Sequence, residues 1–169
     1  KNPDSQLRGA AVAPAARSRF AVPGTPLENH PGELWAQLDL AVFPRVRACG
    51  TSTEVSVPCM FAPVGRRDYD ADRIEGQESL LHVLARAGFE VVWIDNQSGC
   101  KGVCDGLPTV RLDGRSDPVL CDGERCLDGM LVGRLRDAVA SSSGGDLVVV
   151  LHMLGNHGPA YWRRYPPNF

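Results

Sequence analysis

A chain of 169 residues with 43% hydrophobic and 22% charged side chains has the make-up of about one globular domain, which excludes a disordered tail. Its formal net charge of -2 leaves no basic excess, which argues against non-specific binding to nucleic-acid phosphates. No apolar run approaches the roughly 18 to 20 residues that cross a bilayer.

Lys1 to about Pro31 is rich in Ala, Pro, Arg, Gly and Ser without a helical or strand period, so residues 1–31 are expected to be irregular and 32–169 to form the domain. Leu34, Trp35, Leu38 and Leu40 predict a short amphipathic turn or helix before an extended piece, Val42–Val46. Gly76–Ala87 reads as a helix with Leu80, Leu81, Leu84 and Ala87 on one face and Gly88 as its stop. The apolar, β-branched run Phe89–Ile94 then reads as a buried strand. The same order recurs: Leu127–Val139 predicts a helix, Ser141–Gly145 a break and Leu147–Leu151 a second buried strand. Helices alternating with continuous apolar strands predict an α/β fold with a largely parallel sheet flanked by helices.

Ligands of such sheets bind beyond the carboxyl ends of the strands. Asp95 and Asn96 follow one predicted strand, where they serve equally well as turn residues. His152 ends the other and is read as packing at the strand end. His157 differs, because Gly-Asn-His-Gly-Pro is a turn that exposes an imidazole, and it is a candidate functional residue.

The six cysteines fall into the close pairs Cys49 and Cys59, Cys100 and Cys104, and Cys121 and Cys126. Three local disulfides are the economical pairing, which implies an oxidising compartment. The rival is a zinc site in which C-x3-C and C-x4-C supply four thiolates, but these spacings are looser than the usual C-x2-C knuckle.

The first cysteine pair encloses Thr51, Ser52, Thr53 and Ser56. Gly50 followed by Thr and Ser before an apolar stretch is also a helix N-terminus signal, with Ser52 or Thr53 as the cap. A hydroxyl there faces the positive end of a helix dipole, an arrangement that favours a phosphate or sulfate ester. Such a hydroxyl is a weak nucleophile at neutral pH unless a base or a metal assists it. A plain capping sequence is the alternative meaning of these residues.

The stretches CGTSTEVSVPCMF (Cys49–Phe61), DNQSGCKGVCD (Asp95–Asp105) and LHMLGNHGPAYWRRYPPNF (Leu151–Phe169) resemble the phosphoethanolamine transferases that decorate lipid A and other envelope glycans, a group that includes the mobile colistin-resistance enzymes. The resemblance runs from about Ala41 to Phe169. It implies an alkaline-phosphatase-like α/β domain on the periplasmic face of the bacterial inner membrane, monomeric, and tethered only through N-terminal helices outside this stretch. It further implies zinc-dependent transfer of phosphoethanolamine from phosphatidylethanolamine to lipid A or another glycan. By position, Thr53 matches the nucleophile and zinc ligand, and Lys101, His157 and Gln97 match substrate-pocket residues. The resemblance also assigns Cys49, Cys59, Cys100, Cys104, Cys121 and Cys126 as three disulfides.

Two departures stand beside these matches. The family's Gly-Glu-Thr/Ser-Ala-Arg motif, which supplies a zinc-binding glutamate, has no counterpart between Lys1 and Ala48. Its Ser-Asp-His-Gly-Glu element, the source of further ligands, belongs beyond Phe169. The chain is therefore expected to be a partial catalytic domain that holds zinc poorly and is inactive by itself. Two alternatives carry different chemistry. A sulfatase needs C/S-x-P-x-R, and Met60 stands where Arg belongs in Ser56-Val57-Pro58-Cys59-Met60. A non-catalytic, disulfide-stapled binding module needs the hydroxyl loop only as a cap.

Overall fold

The computed structural model describes residues 46–155, 157–159 and 163. The expected irregular segment 1–31, the Leu34–Leu40 turn and most of Val42–Val46 lie outside these residues, as does Asn156. Val46 itself is exposed and outside any strand.

Helix α1, Thr53–Met60, follows the bend at 51–52. Ser52 holds the N-cap position with extended backbone, φ −102° and ψ 153°, but its hydroxyl makes no capping bond. The expected side-chain cap is thus corrected. The carbonyl of Ser52 starts the helix by accepting from Ser56 N–H at 3.0 Å and Ser56 Oγ at 2.7 Å. Cys59, bonded to Cys49, is buried with Val64 and Ile74 in a small cluster under the end of α1. Ile74 belongs to α2, Ala71–Glu75, which starts where Asp70 caps Arg73 N–H at 3.0 Å.

The predicted helix Gly76–Ala87 begins later, as α3, Leu80–Arg86. Ser79 explains the start. Its amide donates to His82 Nδ1 at 3.2 Å, and its hydroxyl accepts from Leu81 N–H at 3.2 Å, the two halves of a capping box. The same hydroxyl donates to Val103 O at 2.6 Å, and His82 Nε2 donates to Asp105 O at 2.9 Å. This anchoring turns Leu81, Leu84 and Ala85 toward the sheet, so Leu80, expected inside, is 51% exposed and Ala87 is exposed as well.

Strand β1, Glu90–Asp95, is followed by β2, Thr109–Arg111, then by α4, Gly129–Ser141, and β3, Leu147–His152. The three described strands pair in parallel in the order β2-β1-β3, with Ile94 opposite Leu151 and Asp95 opposite His152. Three exposed residues carry no apolar run, which is why β2 escapes a reading by hydrophobic pattern. β1 is buried on both faces, with Val91, Trp93 and Ile94 at 4%, 1% and 1% exposure. Trp93 and Val91 pack with Val57 of α1, Leu81 of α3 and the Cys100–Cys104 disulfide, and α4 packs against β1 and β3.

All six cysteines are paired as Cys49–Cys59, Cys100–Cys104 and Cys121–Cys126. That leaves no thiolate for the rival zinc site.

Replacing Ser79 with Ala removes a cap and strands the carbonyl of Val103. The expected loss is about 2 kcal/mol of stability, measured as a lower urea midpoint at an unchanged m-value.

Candidate functional site

Parallel strands send their following loops to one edge of the sheet, so the segments after Asp95 and His152 leave from the same side. The N-terminus of α1 meets them there. Gln97 Nε2 donates to Thr53 Oγ1 at 3.4 Å, a long bond across 44 residues of sequence. The orientation of the Gln97 amide follows from its other end, where Oε1 accepts Ser98 N–H at 3.2 Å and Ser98 Oγ at 2.7 Å.

Lys101 sits four residues further along the same loop, enclosed by the Cys100–Cys104 disulfide. Its backbone is left-handed at φ 55°, which costs a non-glycine residue about 1 to 2 kcal/mol. Such an outlier persists only where its surroundings over-determine it. Here the disulfide, the Gly99 amide bonded to Asp95, and Val103 O bonded to Ser79 hold the loop. The Lys101 ammonium donates to Ser98 O at 3.0 Å and pairs with Glu54 Oε1 at 2.7 Å. Lys101 is 15% exposed and Glu54 is 69% exposed. An ion pair with so wet a partner is worth under about 1 kcal/mol, so an anionic ligand can displace the glutamate and take the cation.

Asp95 closes β1 at 1% exposure. Oδ1 accepts from Trp93 Nε1 at 3.2 Å and from His152 Nδ1 at 2.7 Å, and Oδ2 accepts Gly99 N–H at 2.9 Å. Burial pushes this carboxyl up, but the bonds from His152, Trp93 and Gly99 outweigh burial and hold it at about 2. His152 packs at its strand end as expected, edge-on to Trp93 with ring centroids 5.2 Å apart. Asp95 is more than a turn residue, since it locks the root of the loop that carries Gln97 and Lys101. Asn96 is bonded inward, to Cys126 O at 2.9 Å and Asp128 Oδ1 at 2.8 Å.

His157 lies in the exposed turn after β3, its Nδ1 donating to Gly158 O at 2.9 Å. The structure thus joins Thr53, Gln97 and Lys101 through direct bonds and the Glu54 bridge, and brings His157 to the same sheet edge on a separate loop. Beside them a cleft of about 370 Å³ is lined by Glu54, Pro58, Glu78, Lys101, Val103 and Asp105 among others. Sequence reading missed Glu54 and Asp128. Glu54 resembles any first-turn acid of a helix, and Asp128 any residue before one.

The zinc centre that the resemblance implies needs at least three protein ligands. Among the described residues no group of three or more His, Cys, Asp or Glu side chains is placed to hold a metal ion, and the bond described for Thr53 Oγ1 comes from an amide nitrogen. These residues alone do not fit a zinc site.

The family model described as Sulfatase matches residues 18–169. The chain belongs to the sulfatase family. It is 41% identical over 150 residues to phosphoethanolamine transferase EptA of Salmonella typhimurium, covering 89% of this chain and 27% of that protein. It is 46% identical over 137 residues to phosphatidylethanolamine transferase Mcr-2 of Escherichia coli, covering 77% and 25%. This sulfatase-family chain thus spans about a quarter of the length of the curated relatives it matches. Its fold matches the soluble domain of lipooligosaccharide phosphoethanolamine transferase A from Neisseria meningitidis with a TM-score of 0.73 at 42% identity, covering 81% of this chain and 41% of that one. The expected alkaline-phosphatase-like architecture and the resemblance both stand.

Two outcomes are expected. The Asp95 carboxyl titrates lower in the folded chain, about 2, than its ordinary 3.8, so its stabilising effect is full above about pH 4 and is lost as pH falls toward 2. Urea unfolding at pH 5, 3.5 and 2 should therefore show a loss of stability that is about 2 kcal/mol larger than the loss in Asp95→Asn over the same range. Isothermal titration of this chain with zinc should show no tight one-to-one event.

Proposed function

We propose that this chain carries the phosphoryl-accepting segment of a phosphoethanolamine transferase at the periplasmic face of a bacterial inner membrane. The donor is phosphatidylethanolamine and the acceptor is lipid A or another envelope glycan. The observation that carries this reading is Thr53 at the start of α1, bonded to Gln97, with Lys101 held next to it by Glu54. The named activities of relatives at 41% and 46% identity support it.

In the first half-reaction Thr53 Oγ1 releases its proton to water and forms a bond to the donor phosphorus, and the bond from phosphorus to the diacylglycerol oxygen breaks. Gln97 orients the threonine oxygen by donating to it. Lys101 exchanges its wet glutamate partner for the phosphoryl oxygens, where a fixed cation stabilises the charge that develops. The uncapped first turn of α1 aims its positive end at the same anion. His157, on the neighbouring loop, delivers a proton to the departing oxygen. An oxygen of the glycan acceptor then bonds to the phosphorus as the bond from phosphorus to Thr53 Oγ1 breaks, and the threonine oxygen regains a proton from water. Each transfer adds an ammonium to an anionic glycan, lowering its attraction for cationic peptides such as polymyxin.

A sulfatase reading is disfavoured by Ser56, whose hydroxyl is turned back onto Ser52 O at 2.7 Å within α1, in addition to Met60 in place of Arg.

The test places residues 46–159 of this chain in the matching segment of the Salmonella relative. After incubation with phosphatidylethanolamine vesicles, intact-protein mass spectrometry and peptide mapping should find phosphoethanolamine on Thr53, and none in Thr53→Ala. A folded chimera that stays unmodified refutes the transferase and favours a non-catalytic binding module.

A further inference from the structure

Asp128 has no role in the reaction as described, yet three segments meet at its carboxylate. It stands at the N-cap position of α4, but its backbone there is helical, with φ −62° and ψ −15°, and its side chain makes no capping bond. It reaches across the carboxyl edge of the sheet instead. Oδ1 accepts from Asn96 Nδ2 at 2.8 Å and from Leu154 N–H at 2.8 Å, and Oδ2 accepts Gly155 N–H at 2.7 Å. Asn96 is 9% exposed and spends its second amide proton on Cys126 O at 2.9 Å, next to the Cys121–Cys126 disulfide.

The positions of these donors matter. Asn96 directly precedes Gln97, and Leu154 and Gly155 lead into the turn of His157. One side chain therefore ties the root of the loop that bears Gln97 and Lys101 to the root of the turn that bears His157. An ionised carboxylate suits the place because it only accepts, and every group facing it donates. An asparagine cannot replace it, since in either orientation its NH2 group meets a donor.

We propose that Asp128 is a positioning residue, which sets the His157 turn against the Gln97–Lys101 loop so that the imidazole and the Thr53 oxygen serve one substrate. This deepens the transferase reading and rests on it for the role of His157.

Two readouts separate the two ideas. Amide hydrogen exchange on the full chain asks only about the clamp. The Leu154 and Gly155 amides of the unaltered protein should be protected to the level of β3, and in Asp128→Asn the Gly155 amide should exchange at least about tenfold faster while β1 and β3 amides change little. Unprotected amides in the unaltered chain, or an unchanged Gly155 in a folded variant, overturn the proposal, and the first of these needs no variant to fold. The second readout is the rate of Thr53 modification in the chimera. Asp128→Asn should slow it about tenfold or more, yet add nothing to the loss caused by His157→Ala. Losses that multiply in the double variant overturn positioning through His157. A chimera with no modification at all refutes the transferase reading, and the exchange result then decides the clamp by itself.

Discussion

A carboxylate withdrawn from water has to be met by donors, or its desolvation outweighs what the surrounding apolar packing returns. Asp95 meets that demand from three directions: Trp93 in its own strand, His152 in the neighbouring strand and the Gly99 amide in the following loop. Each donor is a structural commitment. The bond to His152 keeps β3 beside β1 with the strand ends level, and the bond to Gly99 folds the loop back over the sheet edge. Trp93, fixed by the same oxygen, anchors the cluster that seats α1 and α3. The threonine, the lysine and the histidine turn thus share one rigid origin.

The charged groups at this edge divide by burial. Asp95 is buried and saturated with donors, and Asp128 is partly buried and likewise bonded on both oxygens, so their work is to hold backbone. Glu54 and Lys101 form a pair with one partner largely in water, which makes the pair weak and exchangeable. A site that must accept and release a charged group needs both kinds, stiff supports and replaceable contacts. Membership of the sulfatase family describes the scaffold, while the chemistry depends on which side chains stand at its edge. Here those are a threonine, an amide and a lysine, without the arginine that the sulfatase motif requires.

Much of this was legible in the chain itself. The runs Phe89–Ile94 and Leu147–Leu151 became β1 and β3 with shifts of a residue at their ends; β1 is buried on both faces as its apolar run requires, whereas β3, expected buried, is only partly buried because it stands at the edge of the three described strands. Short spacings favoured the three local cysteine pairs over a zinc site without deciding the pairing, which the family resemblance assigned and the structure contains. The helix before β1 was legible as an element but wrong in its start and its face. Leu80 and Leu81 are equivalent to a hydrophobic pattern, and the choice between them is made by tertiary bonds, from Ser79 to Val103, 24 residues away, and from His82 to Asp105.

The amino-acid sequence by itself determined the α/β class and favoured local cysteine pairs, which rest on composition and short-range order, whereas Thr53, Gln97 and Lys101 were singled out through the motifs that resemble the transferase family, and His157 through its turn as well. Tertiary structure alone decided that Gln97 reaches Thr53, that Glu54 holds Lys101, and that Asp95 and Asp128 pin the loops on which these residues stand. Those are contacts between segments roughly 25 to 60 residues apart, created when parallel strands deliver their loops to one edge, and no local pattern encodes them.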